Sequence, residues 1–127
     1  MLGEDHASNV TNSNVGPVRW MPPEALIARS YSKASDVYAF GVVLFELVSG
    51  GERPWKDQTL PGVAAAVLQG KTLEPYLPRA TPEALRKLMI KCWSRLPADR
   101  PTMTHIVTEL RSYVKHLLLV KHRRFCH

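Results

Sequence analysis

Ser35-Asp36-Val37-Tyr38-Ala39-Phe40-Gly41-Val42-Val43-Leu44-Phe45-Glu46-Leu47-Val48-Ser49 is the stretch that decides how this chain folds. Wound as a helix it is apolar around most of its circumference, and only Asp36 near the start and Glu46 interrupt it. A helix without a polar stripe is a buried helix. The β-branched residues would also suit a strand, but the length favours a helix. Ser35 or Asp36 is placed to cap its start, and Gly50-Gly51 to stop it. This element is expected at the centre of the core.

Upstream, Glu24-Ala25-Leu26-Ile27-Ala28 is a short helical stretch, with Pro23 at the first position, where a missing N–H costs nothing. Downstream, Leu60 to Leu68 reads as a small helix stopped at Gly70, and Lys71 to Arg79, with Pro75 and Pro78, as loop. Thr81-Pro82-Glu83 opens the next helix by the cap-then-proline rule. Its Leu85, Leu88, Met89, Cys92 and Trp93 share one face, opposite Arg86, Lys87 and Lys91. After a turn at Leu96 to Pro101, a last helix starts near Thr102. It carries Met103, Ile106, Val107, Leu110, Tyr113, Val114 and Leu117 at the same spacing. The expected class is all-α. Residues 1–15 are a polar lead-in expected to be disordered, 16–119 the folded helical domain, and 120–127 a basic tail.

Composition narrows the function. The chain has 127 residues, one modest domain, and 45% hydrophobic content is enough to rule out wholesale disorder. No apolar run approaches the roughly eighteen residues of a membrane span, and the first residues lack the basic and apolar regions of a secretory signal. Cys92 and Cys126 make no disulfide framework, so a reduced, cytoplasmic setting is expected, and the Asn9 sequon carries little weight without export. Charge is uneven. Residues 1–78 hold 6 Lys/Arg against 8 Asp/Glu, or −2, and residues 79–127 hold 11 against 3, or +8. A basic half can attract nucleic acid, an acidic membrane or an acidic partner. No groove-reading motif accompanies it, so solvated helix faces are the better reading and nucleic acid is not an expected partner.

Catalytic constellations are missing from the residues themselves. There is no Gly-rich phosphate loop, no Cys/His zinc spacing and no nucleophile elbow. Cys126-His127 with nearby His122 falls short of the four ordered ligands of structural zinc, so no metal site is expected.

Several segments nonetheless carry a resemblance. Arg19-Trp20-Met21-Pro22-Pro23-Glu24-Ala25-Leu26 resembles the end of a protein-kinase activation segment, where the family reads Ala-Pro-Glu or sometimes Pro-Pro-Glu. Ser35 to Leu47 is similar to the family's central helix F. Pro54-Trp55, Cys92-Trp93 and Pro97-Ala98-Asp99-Arg100-Pro101 follow in family order and spacing. The resemblance covers about Gly16 to Leu110. It implies the helical C-terminal lobe of a kinase of the tyrosine-kinase or tyrosine-kinase-like group.

The resemblance also assigns roles. Glu24 and Arg100 match the family's buried ion pair, a contact that suits a bidentate Arg fork and not a Lys. Asp36 matches the residue that anchors the catalytic loop from the start of helix F. Its plainer reading is a cap of its own helix. Pro17, Val18, Arg19 and Trp20 occupy the platform that receives the substrate residue after the phosphoacceptor. Pro17 stands where serine/threonine kinases usually carry Thr and tyrosine kinases Pro, yet residues 1–16 contain no Tyr, so acceptor specificity stays open. Ser8, Thr11 and Ser13 are candidate phosphorylation sites, with ordinary polar loop residues the simpler reading. Trp55, Cys92 and Trp93 look like core.

Phosphoryl transfer needs a cover for ATP, a strand lysine with its helix glutamate, a catalytic-loop Asp and Asn, and a metal-binding Asp. None of these is found in this sequence. The expectation is a partial kinase domain whose parent transfers the ATP γ-phosphate to Ser, Thr or Tyr of proteins using Mg²⁺. The chain itself is then catalytically inactive and holds no cofactor. The alternative is a non-catalytic interaction module derived from the same lobe. Either way the partners are protein substrates or regulators, and the missing lobe or another protein is expected to cover apolar surface on helix F.

Overall fold

The structure, a computed structural model, describes residues 17–125. It is helical, with no strand among the described residues. A 3₁₀ turn, Pro17–Trp20, leads into α1 (Pro23–Ala28), α2 (Lys33–Val48), α3 (Leu60–Leu68), α4 (Glu83–Cys92) and α5 (Met103–Phe125). Two further 3₁₀ turns, Glu74–Tyr76 and Pro97–Asp99, lie before α4 and α5.

α2 is the centre of the molecule, and it packs chiefly on α4. Val37, Val42 and Phe45 of α2 are almost fully buried, together with Val63 and Val67 of α3, Met89 and Cys92 of α4, Leu73, and Ile106 of α5. Gly41 sets the spacing between α2 and α4. A Cβ there would stand 2.7 Å from Cys92 Cβ and 2.8 Å from Trp93 Nε1, closer than side chains pack. α3 rests on the Pro17–Trp20 turn and on α1, which ties the N-terminal end of the described chain to the core.

Four details differ from the sequence reading. α2 begins at Lys33, because Ser32 rather than Ser35 or Asp36 is its cap. Ser32 accepts the Ser35 N–H at 3.4 Å, and Ser35 Oγ accepts the Ser32 N–H at 2.6 Å, a reciprocal pair that satisfies two donors. Nor is α2 buried all round, since Val43 and Leu47 are exposed and Phe40 is half-buried. At α4, the Thr81 hydroxyl donates to Pro78 O at 2.7 Å within the preceding turn, so Pro82 takes the cap position without a side-chain bond. Finally, α5 runs on as helix through the basic residues to Phe125, and of its apolar row only Ile106 is fully buried. Periodicity fixed the helix but not how far a neighbour follows it.

Candidate functional site

The Pro17–Trp20 turn is held from beneath by its own side chains. Arg19 is 8% exposed and donates to three carbonyl oxygens of one loop: Pro54 at 3.0 Å, Trp55 at 2.7 Å and Gln58 at 2.9 Å. That loop can converge its carbonyls because Trp55 adopts a left-handed φ of 55°, a conformation rare for a large residue. Trp55 is stacked edge-on against Tyr76, with ring centroids 5.8 Å apart. Burial, and then the charge of Arg53, pulls the Arg19 pKa down from its ordinary value. Trp20 is fixed from the other side, its indole N–H donating to Glu46 Oε1 at 2.8 Å. The carboxylate that interrupts the apolar run of α2 thus positions the turn.

Four residues of the proposed platform therefore divide into two kinds. Arg19 is turned inward as a structural clamp and does not face a ligand. Val18 is half-buried against the core. Pro17 and Trp20 remain at the surface, and with Met21, Pro22, Tyr31, Ser35, Asp36 and Ala39 they line a recess of about 140 Å³. The structure thus brings Pro17, Trp20 and Asp36 to one place. Asp36 is exposed in the first turn of α2, so it is not the cap, and its carboxylate has no hydrogen-bond or ion-pair partner among the described residues. The recess has room for no more than a side chain, whereas pockets for small molecules usually run from about 300 Å³ upward.

Behind the recess, Glu24 of α1 meets Arg100, which follows the Pro97–Asp99 turn. Arg100 Nη1 lies 2.6 Å from Glu24 Oε2, and Nη2 lies 2.8 Å from Oε1, a bidentate pair. The remaining guanidinium donors also find acceptors: Nη1 to Ala34 O at 3.0 Å, Nη2 to Arg95 O at 3.2 Å and Nε to Ser94 O at 2.8 Å. All five N–H groups of the fork are used. Its plane lies over the Tyr38 ring, 5.2 Å from the centroid. Burial acts to raise the Glu24 pKa. The hydrogen bonds from Arg100 and the backbone, with the Arg100 charge, outweigh it and leave the carboxyl below its usual value. Burial also pushes the Tyr38 hydroxyl up to about 12.

Trp55, Cys92 and Trp93 are buried in the core. Burial lifts the Cys92 thiol to about 11, which leaves it protonated and unreactive at neutral pH. Trp93 Nε1 is buried and finds no acceptor among the described residues. Ser8, Thr11, Ser13 and Cys126 lie outside the described residues. Sequence reasoning missed Glu46 as the holder of Trp20. The signal was a carboxylate deep inside an apolar run, which needs a partner when it is not fully solvated.

The described residues do not fit a magnesium–nucleotide site. No three His, Cys, Asp or Glu among them come close enough together to hold a metal ion, and no Gly-rich loop is present to cradle phosphates. No helix of the described residues is long and apolar enough to cross a membrane.

Comparison with known proteins agrees with this architecture. The family model for protein tyrosine and serine/threonine kinases matches residues 2–110. Ephrin type-A receptor 8 of Rattus norvegicus is 39% identical over 111 residues, which is 87% of this chain and 29% of that sequence. Ephrin type-A receptor 4-A of Xenopus laevis is 37% identical over 112 residues, 88% of this chain and 11% of the receptor. Ephrin type-B receptor 3 of Gallus gallus is 37% identical over 123 residues, 94% of this chain and 12% of the receptor. The match spans under a third of the first of these curated relatives and about a ninth of the other two. A match across most of its residues, on a helical core tied together by Glu24 and Arg100, shows that the chain belongs to the protein tyrosine and serine/threonine kinase family.

Proposed function

We propose that this chain supplies the substrate platform and helical scaffold of a protein kinase domain. The whole domain would transfer the γ-phosphate of ATP to a Ser, Thr or Tyr hydroxyl of a protein substrate, in the cytoplasm and with Mg²⁺. Nucleotide and metal would be held by residues other than those described, and these 127 residues alone would not catalyse the transfer. The observation that carries this reading is the recess shared by Pro17, Trp20 and Asp36. Arg19, Glu46 and the Glu24–Arg100 pair fix its walls, so a peptide side chain would meet a preformed surface.

Two assays on the purified chain test the reading. Phosphate incorporation into a poly(Glu,Tyr) copolymer and into myelin basic protein should not exceed the rate without protein. A fluorescent ATP analogue with Mg²⁺ should show no saturable binding. Magnesium-dependent incorporation that disappears in Trp20→Ala would refute the inactive part of the proposal and leave the platform standing.

A second reading, a non-catalytic interaction module, draws on the exposed Val43 and Leu47 and the half-buried Phe40 along α2. A soluble monomer that melts cooperatively and binds no ANS supports it. A species that binds ANS and lacks a cooperative transition speaks against it.

A further inference from the structure

Beyond Leu110 α5 leaves the core cluster, and of residues 111 to 124 only Tyr113 and Val120 are as much as half-buried. Residues 114 to 119 are all exposed, among them Val114 (51%), Leu117 (41%), Leu118 (62%) and Leu119 (51%). Successive helical residues point about 100° apart, so Leu117, Leu118, Leu119 and Val120 together encircle the helix with apolar side chains. The next turn adds the exposed cations Lys121, Arg123 and Arg124. One flank of the helix carries an open apolar strip of Val107, Leu110, Val114 and Leu118, with Arg111 and Lys115 beside it. Glu109 is the lone carboxylate in α5, against five Lys and Arg.

Three kinds of occupant suit a basic, apolar helix, and the ring separates them. A flat anionic bilayer buries one side of a helix lying on it, and would leave part of the ring in water. A second copy could use a seam of Met103, Val107, Leu110, Val114 and Leu117. That seam is shorter than the three to four heptads that argue for a coiled coil, and it brings like charges together. A protein groove that closes around the helix buries the whole ring, and carboxylates at its mouth match the basic turn.

We propose that α5 beyond Leu110 is a docking helix for an acidic protein clamp with an apolar lining. The probe is calcium-loaded calmodulin, which offers Met-rich grooves that open with calcium. Titrated calorimetrically into the full chain, it should form a one-to-one complex that weakens with salt and vanishes with EGTA. Leu118→Gln and Leu119→Gln should each lower affinity about tenfold or more, since each leucine is enclosed. Arg123→Glu with Arg124→Glu should also weaken binding while leaving the ring intact. Each variant is checked first for the parent's helix content and melting curve, which exposed positions should preserve.

Leu119 is the decisive residue, because it lies off the row formed by Val107, Val114 and Leu118. Binding that is lost in Leu118→Gln but unchanged in Leu119→Gln would overturn the enclosure. So would binding to vesicles of phosphatidylcholine and phosphatidylserine without a calmodulin complex. A concentration-dependent dimer in sedimentation without that complex, or no binding at all, would overturn it equally.

Discussion

Replacing Arg100 by Lys keeps the charge and most of the length but removes the fork. In the native protein the guanidinium makes five hydrogen bonds, two to Glu24 and one each to the carbonyls of Ala34, Ser94 and Arg95. An ammonium in that position can reach one carboxylate oxygen and at most one or two of the carbonyls. At least two buried acceptors are stranded, and a bidentate contact becomes single. Each net hydrogen bond contributes about 1 kcal/mol, somewhat more when a charge is involved. The expected loss is therefore about 3 kcal/mol, a large part of the roughly 5–15 kcal/mol that holds a domain folded. Urea denaturation followed by the fluorescence of Trp20, Trp55 and Trp93 reads this directly. With a slope of about 2 kcal/mol/M, the midpoint should fall by about 1.5 M at unchanged slope. A loss below about 1 kcal/mol would show that the pair behaves like a solvent-exposed one, and the reasoning would fail. Glu24 supplies a second readout. Its carboxyl titrates lower folded than unfolded, so its stabilisation is present above the ordinary value of 4.5 and is lost as pH falls through the folded value. Glu24→Gln should flatten that acid limb.

Gly41→Ala should force α2 away from Cys92 and Trp93 and cost about 1–3 kcal/mol, as overpacking usually does; denaturant midpoints check it. Arg19→Ala frees three carbonyls and should make the loop from Pro54 to Gln58 the first site of limited proteolysis; an unchanged cleavage pattern would contradict the clamp. In a Cys126→Ser background, Cys92 should resist alkylation at pH 8 until the protein unfolds. Because its thiol titrates at about 11 folded against 9.0 unfolded, stability should fall as pH rises from 9 towards 11. Cys92→Ala should remove that slope.

What could be read from the sequence depended on range. Helix α4 was legible because its apolar residues recur at helical spacing and α2 because its apolar run is too long for a strand, and the Gly50 and Gly70 stops are local chemistry. The role of Arg19 was not, because its three carbonyl partners lie 35 to 39 residues away and no pattern in the chain announces them. The cap of α2, read as Ser35 or Asp36, was misplaced by three or four residues, since Ser32 is an equally good cap and only its reciprocal bonds with Ser35 decide. Along α5 the apolar row was visible, but burial depends on a neighbour, and α4 meets only its first turns. At the recess, the resemblance singled out Pro17 and Trp20 as platform and Asp36 separately as a loop anchor; that they line one recess is read only from the fold.

The Glu24–Arg100 contact joins residues 76 positions apart. A chain that brings such distant points together gives up loop entropy, which grows as the logarithm of the span. The α2–α4 pairing, which sets Gly41 against Cys92, already closes most of that span, and the Glu24–Arg100 contact is expected to close on top of it, after the main barrier has been crossed. Weakening it should then leave the folding rate nearly as it was and quicken unfolding. The pair is a latch on a finished structure, and it governs how long the native state lasts more than how readily it is reached.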